Sequence, residues 1–146
     1  MLVIMGDSLN RCFEENQPIY VVDYYGIGMK TKAIGTRAYI VCYDKDRQIF
    51  KAILYGDTYN TYSIKDAGRL FFDSLGEAVR AANKLPKPHT IMYQKKDNNI
   101  YKKEIVEIRG HYVDGVYDLV VCFNRGESVS IKEIGHTLFF EEADAR

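Results

Sequence analysis

Three histidines, three cysteines and twelve tyrosines carry most of the chemistry available to this chain. His89, His111 and His136 never stand at the i, i+4 spacing that would put two ligands on one helical face, so no metal site is expected. Cys12, Cys42 and Cys122 are an odd number without a CxxC pair, which fits neither a disulfide framework nor a zinc site. They read as small buried hydrophobes in a reducing compartment. Ser63-Ile-Lys-Asp66 and Ser130-Ile-Lys-Glu133 each place a serine three residues before an acid. Hydrolytic chemistry would need a histidine base, and none recurs beside both. The same spacing suits a cap, with the hydroxyl accepting from the backbone three residues on. Gly26-Ile-Gly28 lacks the rest of a dinucleotide loop and reads as a hairpin turn. His111 near Asp114 reads as surface polarity of a hairpin. The sequence holds no nucleophile elbow, phosphate loop or HExxH. No catalytic residue and no cofactor are expected.

Binding chemistry is better represented. Twelve tyrosines and no tryptophan favour contact surfaces, because a phenol offers a broad apolar face and a polar tip at small entropic cost. Tyr24 and Tyr25 close one strand, and Tyr59 and Tyr62 flank a turn. These four are the expected protein-binding residues. The stretch 93–103 sets Tyr93, Lys95, Lys96, Tyr101, Lys102 and Lys103 around an Asp-Asn-Asn turn. Lysines and stacking rings on one hairpin could hold a single nucleic-acid strand. Lysines also keep edge strands from pairing with other chains.

Charge weighs against a dedicated nucleic-acid binder. Lys plus Arg equals Asp plus Glu at 20 each, whereas phosphate neutralisation calls for a positive excess. The 146 residues, 47% apolar and 27% charged, suit one ordinary globular domain or two small ones. The apolar start Met1-Leu-Val-Ile-Met5 lacks the basic flank and cleavage site of a signal peptide. A cytoplasmic protein that does not enter membranes is expected, of undetermined oligomeric state.

The elements that must position these residues occur twice. Residues 49–65 and 116–132 align without a gap, with apolar against apolar at 49/116, 50/117, 52/119, 53/120 and 54/121. Both runs end in Ser-Ile-Lys and continue as Asp66/Glu133, Gly68/Gly135, Phe71/Leu138 and Phe72/Phe139. Upstream, Ile19-Tyr20-Val21 aligns with Ile91-Met92-Tyr93. Length differences fall between strands, as a duplication should show.

In copy one, strands are expected at 18–25, 29–34, 37–43, 48–55 and 59–62, followed by a one-turn helix ended by Gly68 and a last strand near 70–72. Ser74 should cap a helix over 75–84, with Leu75, Ala78, Val79 and Ala82 facing the core. Pro86 and Pro88 mark a linker. Copy two retains a stub of that helix. Before copy one, Leu9, Cys12 and Phe13 share a face of a short helix, with Asp7 or Ser8 as cap. The expected core is Ile53, Leu54, Ile64 and Phe72, matched by Val120, Val121, Ile131 and Phe139. The fold class is mainly β (α+β): two tandem SH3-like small β-barrels with short helices at the N-terminus and after barrel one. The domains are an N-terminal segment 1–16, modules at 17–85 and 89–146, and a linker at 86–88.

The opening Pro18-Ile-Tyr-Val-Val-Asp23 and the closings at 67–78 and 134–143 (Ile134-Gly-His-Thr-Leu-Phe-Phe-Glu-Glu-Ala143) carry a resemblance over residues 17–146. The chain resembles uncharacterised small SH3-like β-barrel proteins of Firmicutes phages and mobile elements, here as a tandem duplication with a clipped final helix. The resemblance implies the SH3-like fold and a bacterial host, and transfers no catalytic residue. The expected function is a non-enzymatic, protein-binding module acting on a bacterial partner, concretely an inhibitor of a host-defence nuclease of the anti-CRISPR type. The alternatives are a nucleic-acid-binding accessory using the hairpin at 93–103 and a protein that sequesters a small nucleotide.

Overall fold

The computed structural model describes residues 6–146. Helix α1 (Gly6–Glu14) leads into β1 (Pro18–Tyr25), β2 (Lys32–Asp44), β3 (Ile49–Leu54), β4 (Thr58–Ser63) and β5 (Phe71–Phe72). Helix α2 (Leu75–Asn83) follows. Copy two forms β6 (Ile91–Lys96), β7 (Asn99–Val113), β8 (Val116–Phe123), β9 (Ser128–Ser130) and β10 (Leu138–Phe139). The molecule is mainly β, in two five-stranded sheets. Their orders are β4-β3-β2-β1-β5 and β9-β8-β7-β6-β10, the same topology twice. Both sheets stay open at their edge strands, where a barrel would close. Among the described residues, no helix is long and apolar enough to cross a membrane.

Local signals shape the ends of the elements. Ser63 and Ser130 accept from the backbone N–H of Lys65 (3.2 Å) and Lys132 (3.1 Å). The acceptance reaches two residues on rather than three, because each turn is a three-residue 3₁₀ helix too short for a full capping box. Gly68 and Gly135 take positive φ just beyond these turns, as expected. Ser74 caps α2 through Glu77 N–H. Ala78 and Ala82 are buried, whereas Leu75 and Val79 are exposed, so the inward face of α2 is narrower than its pattern suggests. Copy two ends in a 3₁₀ turn at Glu142–Ala145 in place of that helix. Of the α1 face, Leu9 is buried and Phe13 exposed, while the side chains of the expected caps Asp7 and Ser8 lie outside the described residues.

Three expectations are corrected. The strands expected at 29–34 and 37–43 are one strand, β2, preceded by a 3₁₀ turn at Gly28–Lys30. Gly35 does not break it. A Cβ there would lie 2.7 Å from Val79 N and 2.8 Å from the Ala78 carbonyl carbon, so this glycine lets α2 approach the strand. The second correction is register. Tyr20 pairs with Phe72 and Tyr93 with Phe139, so Tyr20 corresponds to Tyr93 rather than to Met92. Ile19 and Met92 then fall together, and both are fully buried. A one-residue slip would turn every side chain to the wrong face. The third concerns cysteines. Cys122 is buried, Cys12 is intermediate and Cys42 exposed, because an irregularity between Ile40 and Cys42 brings Cys42 opposite exposed Lys51.

The compact units do not simply follow chain order. Among the described residues, unit one contains 6–23, Ile34–Lys84 and the copy-two segment His111–Asp118. Unit two contains Leu85–Gly110, Leu119–Arg146 and the copy-one segment Tyr24–Ala33. Within unit one, Phe50, Tyr62, Phe71 and Tyr117 form an aromatic core. Within unit two the core is mostly aliphatic: Met92, Ile105, Ile108, Leu119, Val121 and Leu138 are buried, with Phe123 as a buried ring. Of the expected core, Leu54, Phe72, Val120, Val121 and Ile131 are buried, while Ile53, Ile64 and Phe139 are only half-buried.

Candidate functional site

The tyrosines sort by strand alternation. In β3 and β4, even-numbered residues Phe50, Ala52, Leu54, Asn60 and Tyr62 face the core, and odd-numbered ones face outward. Tyr62 is therefore corrected from binding residue to core: it is fully buried against Phe50, Phe71 and Tyr117, with Asn60 Nδ2 donating to its hydroxyl at 3.2 Å. Burial pushes its phenol far above the ordinary range, while the Asn60 hydrogen bond opposes the shift. Tyr59 is 55% exposed, as a contact residue must be. Tyr112, from the copy-two segment of unit one, places its hydroxyl 3.0 Å from Asn60 Oδ1 and 3.3 Å from the Tyr59 carbonyl. It thereby occupies part of the open edge of β4. Beneath this network the Tyr117 hydroxyl donates to buried Asp23.

The outward face of β2–β3–β4 carries residues that sequence reasoning missed. Tyr39 pairs with Ile53, and Ile53 with Tyr59, giving a row across three strands. A recess of about 340 Å³ opens there, lined by Thr36, Arg37, Tyr39, Ile53, Tyr55 and Gly56. Burial raises the Tyr55 phenol, the Asp23 charge raises it further, and a hydrogen bond with Thr36 opposes both. Strand alternation was the signal available, once the inward face was known.

In unit two the connection after β1 is an apolar loop. Tyr25 is 68%, Ile27 90% and Met29 49% exposed, while Tyr24 is half-buried. The loop is held from within. Lys30 N–H donates to the Ile27 carbonyl at 3.1 Å, and Thr31 N–H and Oγ1 donate to the Gly28 carbonyl at 3.1 and 2.8 Å. Buried Thr31 Oγ1 also accepts from Ile108 N–H at 2.9 Å. Gly26 sits at φ +101°, and a Cβ on it would meet the Lys30 carbonyl oxygen at 2.5 Å. A turn holding Ile and Met, where polar residues are the norm, was the overlooked signal.

The lysine hairpin is split. Its two-residue turn has positive φ at Asp97 and Asn98, as a type I′ turn requires. Tyr93 pairs with Lys102 and Lys95 with Ile100 on one face. Gln94 pairs with Tyr101, Lys96 with Asn99 and Met92 with Lys103 on the other. Lys103 Nζ lies 2.6 Å from Glu127 Oε1, and 5.9 and 5.4 Å from the ring centres of Tyr101 and Phe123. The Lys103 hydrogen bond is the main cause of the lowered Glu127 carboxyl, against partial desolvation. The six expected nucleic-acid residues thus do not share one face, and Lys103 is already engaged.

The remaining polar groups are dispersed. His89 Nδ1 lies 3.1 Å from Glu104 Oε2 at the surface. Among the described residues, no group of three His, Cys, Asp or Glu side chains is placed to hold a metal. No protein-family model, no curated protein and no solved structure matches the chain.

Proposed function

We propose that this protein is a non-enzymatic, protein-binding module that docks through the loop carrying Tyr25, Ile27 and Met29. The observation that carries the reading is Ile27, 90% exposed on a loop whose base is hydrogen-bonded and glycine-shaped. Burying such a side chain in a partner recovers about 1.5–3 kcal/mol. The preformed loop loses little entropy on docking. The two open sheets are read as modules of the SH3-like type. In the mobile-element setting implied by the resemblance, the partner is a protein of the bacterial cytoplasm, and a defence nuclease of the anti-CRISPR target class is the first to try. The lysine hairpin remains the alternative interface, and its division between two faces weighs against it.

The test is capture from host lysate on immobilised protein, read by mass spectrometry. Wild type and a Lys95→Gln/Lys102→Gln variant should retain the same discrete protein, and Ile27→Asp should lose it. Retention of that protein by Ile27→Asp, or recovery of nucleic acid dependent on the lysines, would overturn the reading.

A further inference from the structure

The recess on the outward sheet face of unit one lies apart in sequence from the docking loop and has a chemistry of its own. Tyr39 and Ile53 stand opposite each other across β2 and β3, with Arg37 two residues before Tyr39 and Tyr55 two after Ile53. All four line the recess. Arg37 is exposed and forms no ion pair among the described residues, and no carboxylate lines the recess. The site therefore offers an apolar floor at Ile53, two phenol rings and a free guanidinium. Its volume of about 340 Å³ falls within the span of small-ligand sites.

We propose that this recess binds a nucleotide, the base lying on Ile53 against Tyr39 and Tyr55 and the phosphate taken by Arg37. Rings accept the π-face of any base, and guanidinium matches phosphate in a two-pronged geometry. A free nucleotide and a nucleotide within a single strand present the same group. Lys51 separates the two sources. It is exposed on the same face, two residues before Ile53, where it would meet the next phosphate of a strand.

The experiment is calorimetric titration of the full chain with the four ribonucleoside monophosphates, their unphosphorylated nucleosides, and a 5′-phosphorylated single-stranded DNA hexamer of mixed sequence. At least one phosphorylated probe should bind. Arg37→Gln should weaken it about tenfold or more, as should Tyr39→Leu, which keeps the apolar bulk and removes the ring. Removing the phosphate should weaken binding similarly. Lys51→Gln should weaken the hexamer alone if the source is a strand, and leave monophosphates unchanged. Unchanged melting temperatures show that the variants fold, and Arg37→Lys provides a second variant that keeps the charge but loses the fork. No binding of any phosphorylated probe at millimolar concentration, or equal binding by Arg37→Gln, overturns the proposal. Ile27→Asp should bind nucleotide as wild type does, so failure here and failure of the docking loop are distinguishable.

Discussion

The two copies share a strand order and differ in what they bury and in what their first connections display. Unit one packs Phe50, Tyr62, Phe71 and Tyr117 ring against ring, with Asp23 and Asn60 buried among hydroxyls. Unit two packs aliphatic side chains around Ile105, Ile108 and Leu119. Copy two joins its first strands by the polar Asp97-Asn98 turn, and copy one by the longer apolar loop. Strand order tolerates both cores because topology depends on pairing and turns, while core composition needs only matched volume. A tight polar turn is the minimal solution for such a connection. The longer apolar one leaves three large side chains in water, the feature on which the proposed docking role rests.

The largest expected effect breaks the equivalence of matched positions. Phe72 is 3% exposed and Phe139 half-buried. Phe72→Ala should cost about 3–5 kcal/mol in denaturant unfolding. Phe139→Ala should cost clearly less, and equal losses would restore the strict symmetry of the repeat.

Next comes the borrowed segment. Tyr117→Phe removes the hydroxyl that donates to Asp23, and should destabilise the protein by about 1–3 kcal/mol. Hydrogen exchange should show the loss in copy-one strands β1 and β4. Protection lost only in copy two would show that each copy keeps its own core.

The docking loop should behave oppositely. Ile27→Asp should change stability by no more than about 0.5 kcal/mol, since the side chain is already in water. A marked drop in melting temperature would mean that Ile27 belongs to a core.

Another small effect concerns the Lys103–Glu127 pair, a feature of unit two. Glu127 has its folded-state pKa lowered, so its contribution is present above the ordinary carboxylate range and fades as pH falls through the folded value. Because the pair is partly exposed, Lys103→Gln should cost under about 1 kcal/mol. The difference in melting temperature from wild type should be visible near neutrality and vanish in strong acid. A difference that grows on acidification would contradict the assignment.

Most strand positions, the Ser63, Ser74 and Ser130 caps, the Asp-Asn-Asn turn and the repetition of one strand order were legible in the residues. Each depends on a preference expressed within a few positions of chain. Pairing between distant segments decided the rest. Neighbouring tyrosines at 59 and 62 look alike as residues, yet period-2 alternation sends one to solvent and the other to the core once β4 is registered against β3. The same pairing divided the lysines of 93–103 between two faces, gave Gly35 its place under α2, and set His111–Asp118 into unit one and Tyr24–Ala33 into unit two. Side-chain direction in a sheet follows from register, and register is a property of two strands that neither strand encodes alone.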